Sequence, residues 1–143
     1  MAKILWGPLT PVELMTNDLN GLVNLTGNAL STAIPTANYQ FLKLSLYLNT
    51  TAGARSASAY VKCYLLPSMG TEYPDTATEP LQAYAIQHFY FKAITGTETA
   101  ITTNIFLPFG DVKIYVQNNT GQTFNATGNI LSYQLGSSES VVV

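Results

Sequence analysis

Hydrophobic and polar residues alternate along several stretches of the chain, in the pattern of half-buried β-strands. The clearest case is residues 39–48, "YQFLKLSLYL", in which every second residue is leucine. One side of this predicted strand carries Leu42, Leu44, Leu46 and Leu48, and the other carries Phe41, Lys43, Ser45 and Tyr47. After "TTAGARS" the alternation resumes over 59–66, with Val61, Cys63 and Leu65 inward and Tyr60, Lys62 and Tyr64 outward.

The second half of the chain predicts two hairpins. Residues 81–94 read as an aromatic strand, "TGTET" as a tight turn and 100–108 as the returning strand. In the first of these strands His88 shares a face with Tyr84, Ile86 and Tyr90. Residues 112–135 predict the other hairpin, with Val112, Ile114 and Val116 inward and with turns permitted by Gly121 and Gly128.

The N-terminal third has a mixed pattern. Leu14, Leu19, Leu22 and Leu25 have loosely helical spacing, and Thr16 or Asn17 could cap a helix of one or two turns. Gly21 weakens that helix, and residues 23–34 offer an early strand as the alternative. The loop at 67–80 has three prolines and a glycine.

Six to eight short strands separated by frequent turn signals predict an all-β fold. We expect an antiparallel β-sandwich of jelly-roll type with at most one short N-terminal helix. The 143 residues are sufficient for one domain, 1–143, with an N-terminal arm at about 1–11 and a C-terminal tail at about 136–143.

Charge is scarce in this sequence. Charged residues make up 10% of the chain, against roughly 25% in typical soluble domains, and Thr and Asn supply the polarity instead. A net charge of -2 and six scattered basic residues argue against nucleic-acid binding. No apolar run is long enough to span a membrane. The opening "MAKILWGPLTP" lacks the apolar stretch of a signal peptide, so we expect the chain to stay in the compartment where it is made.

The sequence offers little for catalysis or metal binding. Cys63 is the only cysteine and lies on the inward side of its strand, so we expect a buried hydrophobic residue. His88 is the only histidine, and we expect it to be a hydrogen-bonded residue at an aromatic surface or a subunit contact. Glu72, Asp75 and Glu79 have no calcium-loop spacing, and no nucleophile, zinc or phosphate motif occurs. We therefore expect no catalytic, metal or cofactor site and no enzymatic activity. Four Asn-x-Thr sequons fit turn formation better than glycosylation.

The outward faces of the strands repeat a theme of Tyr with Lys. Tyr is typical of protein contacts, although both residues also occur on ordinary outer faces of sandwiches. Trp6 could close the end of the sandwich or insert into a partner's groove. The candidate contact residues are Trp6, Phe41, Lys43, Tyr47, Tyr60, Lys62, Tyr64, His88, Tyr90 and Tyr115.

Three stretches, "KILWG" at the start, "GARSASAYV" at 53–61 and "LPFGDVKIYVQNNTGQTFNATGNILSY" at 107–133, resemble small virion proteins of tailed bacteriophages. The chain is most similar to capsid decoration (cement) proteins in that group. It departs from them in its last strand, where "LSYQLGSSESVVV" lacks basic residues.

The resemblance implies a β-sandwich or jelly roll that binds the outside of an assembled capsid as a homotrimer. Its partner would be the major capsid protein, and its location the capsid surface after synthesis in the host cytoplasm. The alternative is a tail or fibre module that binds a receptor or glycan, for which Tyr73 or Tyr84 would be our choice. A hydrolase or metal-dependent enzyme is a third hypothesis.

Overall fold

The computed structural model confirms an antiparallel β-sandwich of jelly-roll type. It describes residues 2–6, 11–37, 39–74, 76, 83–108 and 110–140, of which 2–6 and 138–140 are described by their backbone only. No helix occurs among these residues. The strands are β1 (Ala2–Trp6), β2 (Val12–Met15), β3 (Asn28–Leu30), β4 (Phe41–Thr50), β5 (Tyr60–Pro67), β6 (Ala85–Tyr90), β7 (Gly96–Ile101), β8 (Ile105–Phe106), β9 (Val112–Asn119) and β10 (Ile130–Ser140).

The strands form two sheets. The six-stranded sheet has the order β1-β10-β4-β7, and β2 and β8 also pair with β10 and β4. The four-stranded sheet has the order β3-β9-β5-β6. Most of the pairs are nested: β1 and β2 pair with β10, β3 with β9, β4 with β7 and β8, and β5 with β6. The remaining pairs, β4 with β10 and β5 with β9, join these into the two sheets. This nesting is that of a long hairpin, with its tip at the 68–84 loop, rolled into a jelly roll.

The core lies between the sheets and has the composition that the alternation predicts. All four leucines that β4 directs inward are fully buried. They face buried residues of the four-stranded sheet, which include Val61, Cys63 and Leu65 of β5 and the inward residues of β9. Burying a leucine side chain contributes about 1.5–3 kcal/mol, so the β4 row supplies a large part of the apolar stabilisation.

Both predicted hairpins in the second half are wrong. β9 belongs to the four-stranded sheet and β10 to the six-stranded sheet, so residues 120–129 cross between the sheets. Likewise β6 and β7 lie in different sheets, and the expected turn "TGTET" is largely β7 itself. Alternation cannot distinguish a hairpin from a crossover, because both connect strands of the same period. Gly121 and Gly128 do have positive φ, +83° and +84°, within that crossover.

The N-terminal third folds as turns and short strands. Residues 16–22 form successive tight turns, in which the Leu19 and Leu22 amides donate to the carbonyl oxygens of Thr16 and Leu19. Both leucines are buried, whereas Leu25 is exposed. The alternative prediction is an early strand within 23–34, and the structure has the three-residue strand β3 there.

Asparagine side chains hold these turns to the β9–β10 crossover at one end of the sandwich. Asn118 Nδ2 donates to the carbonyl oxygens of Leu22 and Gln122, each at 2.8 Å, and Asn118 is fully buried. Asn129 Nδ2 donates to Asn20 Oδ1 at 3.0 Å, and Phe124 of the crossover is buried in the core. Asn118, the asparagine of one sequon, therefore stabilises the turns through its side-chain hydrogen bonds.

Arg55 is a buried cation that holds the neighbouring loops at the same end. Its Nη1 donates to Thr50 Oγ1 at 2.8 Å and to the Gly96 carbonyl at 3.0 Å, while Nε donates to the Lys92 carbonyl at 3.0 Å. Its Nη2 lies 3.7 Å from Glu98 Oε2. Hydrogen bonds and a paired carboxylate offset the cost of burying the guanidinium.

Residues near the two termini pair with each other in the same chain. Ala2–Trp6 forms the edge of the six-stranded sheet, in register with residues 136–140 of β10. The expected N-terminal arm and C-terminal tail therefore contribute backbone hydrogen bonds within this chain.

Replacing Arg55 should destabilise the fold. Arg55→Met removes three donated hydrogen bonds and leaves Glu98 without its cationic partner, and we expect the free energy of unfolding to fall by about 3–5 kcal/mol. Arg55→Lys should be nearly as destabilising, because an ammonium group lacks the planar, forked set of donors that the guanidinium provides. Lys92→Met, at an exposed position in the same region, should change the free energy of unfolding by about 0.5 kcal/mol or less. Urea unfolding measures all three, and a loss below about 1 kcal/mol for Arg55→Met would contradict the assignment.

Burial should make Cys63 unreactive in the folded protein. Desolvation raises the pKa of the Cys63 thiol, so the group stays protonated near neutral pH. At about pH 8 we expect a disulfide reagent such as DTNB to label Cys63 only as fast as the protein unfolds, and at once in guanidinium. The unfolded thiol ionises above about pH 8.5 while the folded thiol does not. Stability should therefore fall above that pH, and less steeply in Cys63→Ala. Rapid labelling of the native protein would be the contrary result.

Candidate functional surfaces

Among the residues that the structure describes, those considered for chemistry do not converge. His88 is exposed on β6 between Tyr60 and Tyr90, and Glu72 lies in a tight turn with Met69. Asp75 and Glu79 lie outside the described residues. Within the described part of the chain, no three His, Cys, Asp or Glu side chains are placed to hold a metal ion. None of the described segments forms an apolar helix of membrane-crossing length.

The outer face of the four-stranded sheet carries most of the predicted Tyr and Lys residues. Register places Tyr60 beside Tyr90, Lys62 beside His88, and Tyr64 between Ile86 and Tyr115. The sequence predicted that these side chains point outward from their strands, and the strand pairing brings them to one face, whereas Phe41, Lys43 and Tyr47 lie on the other sheet. The sequence could not predict that the face divides into a covered half and an exposed half.

Tyr64 and Tyr115 form the covered half. Their rings meet edge to face with centroids 5.6 Å apart, and Leu66, Tyr73 and Ala83 pack around them. Both tyrosines are buried by residues of the 68–84 loop. They point outward from the sheet as predicted, but they are covered within this chain.

Lysines lie over the rings of this half. Lys62 Nζ is 4.7 Å from the centroid of Tyr64, and Lys113 Nζ is 4.4 Å from that of Tyr73. Such cation–π contacts let a lysine cover a ring while its head group reaches water. The repeated Tyr-with-Lys theme thus has a structural role within the chain on this face.

Tyr73 and Tyr84 do not form an open aromatic site of the kind expected for a glycan. Tyr73 packs against the covered half of the face, and the Tyr84 hydroxyl is buried. Desolvation raises the pKa of Tyr84. The exposed half of the same sheet, Tyr60, His88 and Tyr90, is the more accessible aromatic surface.

The outer face of the six-stranded sheet carries a group of apolar side chains among polar ones. Phe41 and Phe106 are register partners, with ring centroids 4.9 Å apart, and Phe106 is 75% exposed. Ile101 is 67% exposed, and Tyr47 lies on the same side of β4. We call Phe41, Tyr47, Ile101 and Phe106 the apolar face. Lys43 lies among them on β4.

Two members of the apolar face, Ile101 and Phe106, were not among the predicted contact residues. Both lie within 100–108, which the sequence predicts as a returning strand without indicating which of its sides faces the core. The signal was available, because Phe106 follows the buried Ile105 and therefore points to the other side of the sheet.

A shallow groove of about 230 Å³ crosses this face beside Ile101. Its polar lining includes Lys43, Ser45, Ser132 and Gln134, and Pro11 contributes one side. Ser45 and Ser132 are register partners, so small residues on two adjacent strands create the depression between larger neighbours. The face therefore combines protruding apolar rings with a groove, the relief that a protein partner can complement.

The backbone of Trp6 pairs with Gly136 at the edge of the six-stranded sheet. Its side chain lies outside what the structure describes, so its proposed role as plug or anchor stays a prediction.

No model of a protein family matches the chain, and no curated protein matches it. Two solved structures are similar in fold. A chain of Desmodium yellow mottle tymovirus is 13% identical, with 99% of this chain and 91% of that chain covered and a TM-score of 0.38. The CBM36-1 domain of a multidomain xylanase from the hindgut metagenome of Trinervitermes trinervoides is 12% identical, with 99% and 100% covered and a TM-score of 0.37. Likeness at this level does not bear on function.

Proposed function

We propose that the protein is a structural component of a phage virion, a decoration (cement) protein that binds the outside of the capsid and stabilises it. The observation that carries this proposal is the apolar face. Phe106 and Ile101 protrude from a sheet whose outer side carries little charge, and their exposure to water is unfavourable unless a partner covers them.

The arrangement fits a contact surface better than a reaction centre. The apolar face spans β4, whose backbone is hydrogen-bonded on both sides, and the edge strands β7 and β8, which both pair with β4. A rigid surface loses little conformational entropy on binding, which favours affinity. The proposed activity is therefore attachment, without a catalytic step.

The proposed partner is the major capsid protein, and the proposed state is a homotrimer on the capsid surface. One sandwich offers a small contact area, and three linked copies would bind through avidity. The scarcity of charge supports this proposal, because a weakly charged exterior resists close packing of many copies less than a strongly charged one. The resemblance to virion proteins in three stretches of sequence favours the phage capsid over other assemblies.

Placing a charge on the apolar face should abolish attachment. We expect Phe106→Glu to weaken co-sedimentation with parent-phage capsids that lack this protein by at least about tenfold, because a carboxylate would be buried at the joint. Met69→Glu is the matched control, since Met69 is similarly exposed and lies after β5, outside the apolar face, so its change should leave binding intact. Circular dichroism checks that both variants fold.

Light scattering of the free protein tests the oligomer separately, with three chains expected. A monomer that sediments with no capsid would overturn the proposed function. Capsid binding that Phe106→Glu leaves unchanged would show that another surface makes the contact.

A further inference from the structure

Three aromatic rings form an exposed cluster on the outer face of the four-stranded sheet. His88 stacks on Tyr90 with centroids 5.9 Å apart and an angle of 20° between the rings. Tyr60 lies 5.4 Å from His88 and 6.2 Å from Tyr90. Tyr90 is 70% exposed and His88 is exposed, so their ring faces and edges are open to water.

Amide side chains stand directly beside these rings. Tyr60 is the register partner of Tyr90 on one side and of Asn119 on the other, and Gln117 occupies the next outward position of β9. Neighbouring strands are about 4.8 Å apart, and successive outward residues about 7 Å apart. The aromatic cluster and the amides therefore lie within the width of one or two sugar rings. We call Tyr60, His88, Tyr90, Gln117 and Asn119 the aromatic–amide face.

The charge on this surface is low and of one sign. None of the four strands in this sheet contains a carboxylate. The nearest lysine, Lys62, has its Nζ over the Tyr64 ring. An uncharged ligand can approach such a surface without desolvating an ion pair.

We propose that the aromatic–amide face binds an uncharged polysaccharide built of pyranose rings. The apolar C–H side of a sugar ring would stack on Tyr90 or Tyr60, and the ring's hydroxyls would exchange hydrogen bonds with Asn119 and Gln117. A protein partner is the weaker choice, because it would have to leave several amide and ring polar groups imperfectly paired on a flat surface. The face is on the opposite sheet from the apolar face, so the protein could hold a capsid and a polysaccharide at once.

The experiment uses the full chain and defined sugars. Cellohexaose, xylohexaose and mannohexaose are titrated by calorimetry, with an alginate hexamer as the charged comparison. We expect wild type to bind at least one of the three uncharged sugars. Tyr90→Ala should weaken that binding by at least about tenfold, while Tyr90→Phe, which keeps the ring, should retain most of it. Met69→Ala, at a similarly exposed position outside both faces, is the matched control and should bind as wild type does.

The inference would be overturned by no binding of any uncharged hexamer, by equal binding of wild type and Tyr90→Ala, or by binding of alginate alone that disappears at about 0.5 M salt. The last would identify charge attraction to Lys62 as the cause. A protein captured through Tyr90 in the absence of sugar binding would also overturn it. None of these outcomes changes the capsid test, which depends on Phe106, so the two proposals fail independently.

Discussion

The fold depends on the burial of one leucine row between two sheets whose strands alternate along the chain. β4 lies within the six-stranded sheet, and its inward leucines pack against residues that β5 and β9 supply from the other sheet. Most consecutive strands change sheets, and β5 with β6 is the pair joined directly within the four-stranded sheet. Because its partners are distant in sequence, the core must form over long loops, which makes the fold cooperative.

Because most consecutive strands lie in different sheets, many connections cross between the sheets, and this explains why so much of the polar content is amide and hydroxyl. The connections that cross between sheets must satisfy their backbone groups near the core, where water is excluded. Asn118 and Asn129 do this at one end, and Arg55 supplies three donated hydrogen bonds to the adjacent loops. Neutral side chains carry a smaller desolvation cost than ions, so a chain with few charges can support crossovers held by many side-chain contacts.

Closure of the sandwich also gives the molecule two outer faces with different chemistry. The six-stranded sheet presents the apolar face, centred on Phe106 and Ile101, whereas the four-stranded sheet presents the aromatic–amide face around Tyr90. A sandwich keeps these faces on opposite sides and supports each with paired strands. The two proposed contacts, one with a capsid and one with a polysaccharide, therefore require no rearrangement of the fold and no competition for the same residues.

The sequence by itself determined the all-β class, the inward sides of β4, β5 and β9, and the burial of Cys63, because alternation of period two depends only on local geometry. It also placed Tyr60, His88 and Tyr90 outward. Only the tertiary structure decided which strands are neighbours, and thus that the expected hairpins at 81–108 and 112–135 are crossovers. It likewise decided that Tyr64 and Tyr115 are covered while Phe106 is exposed. Strand pairing and coverage depend on residues far apart in the chain, and local alternation contains no information about them.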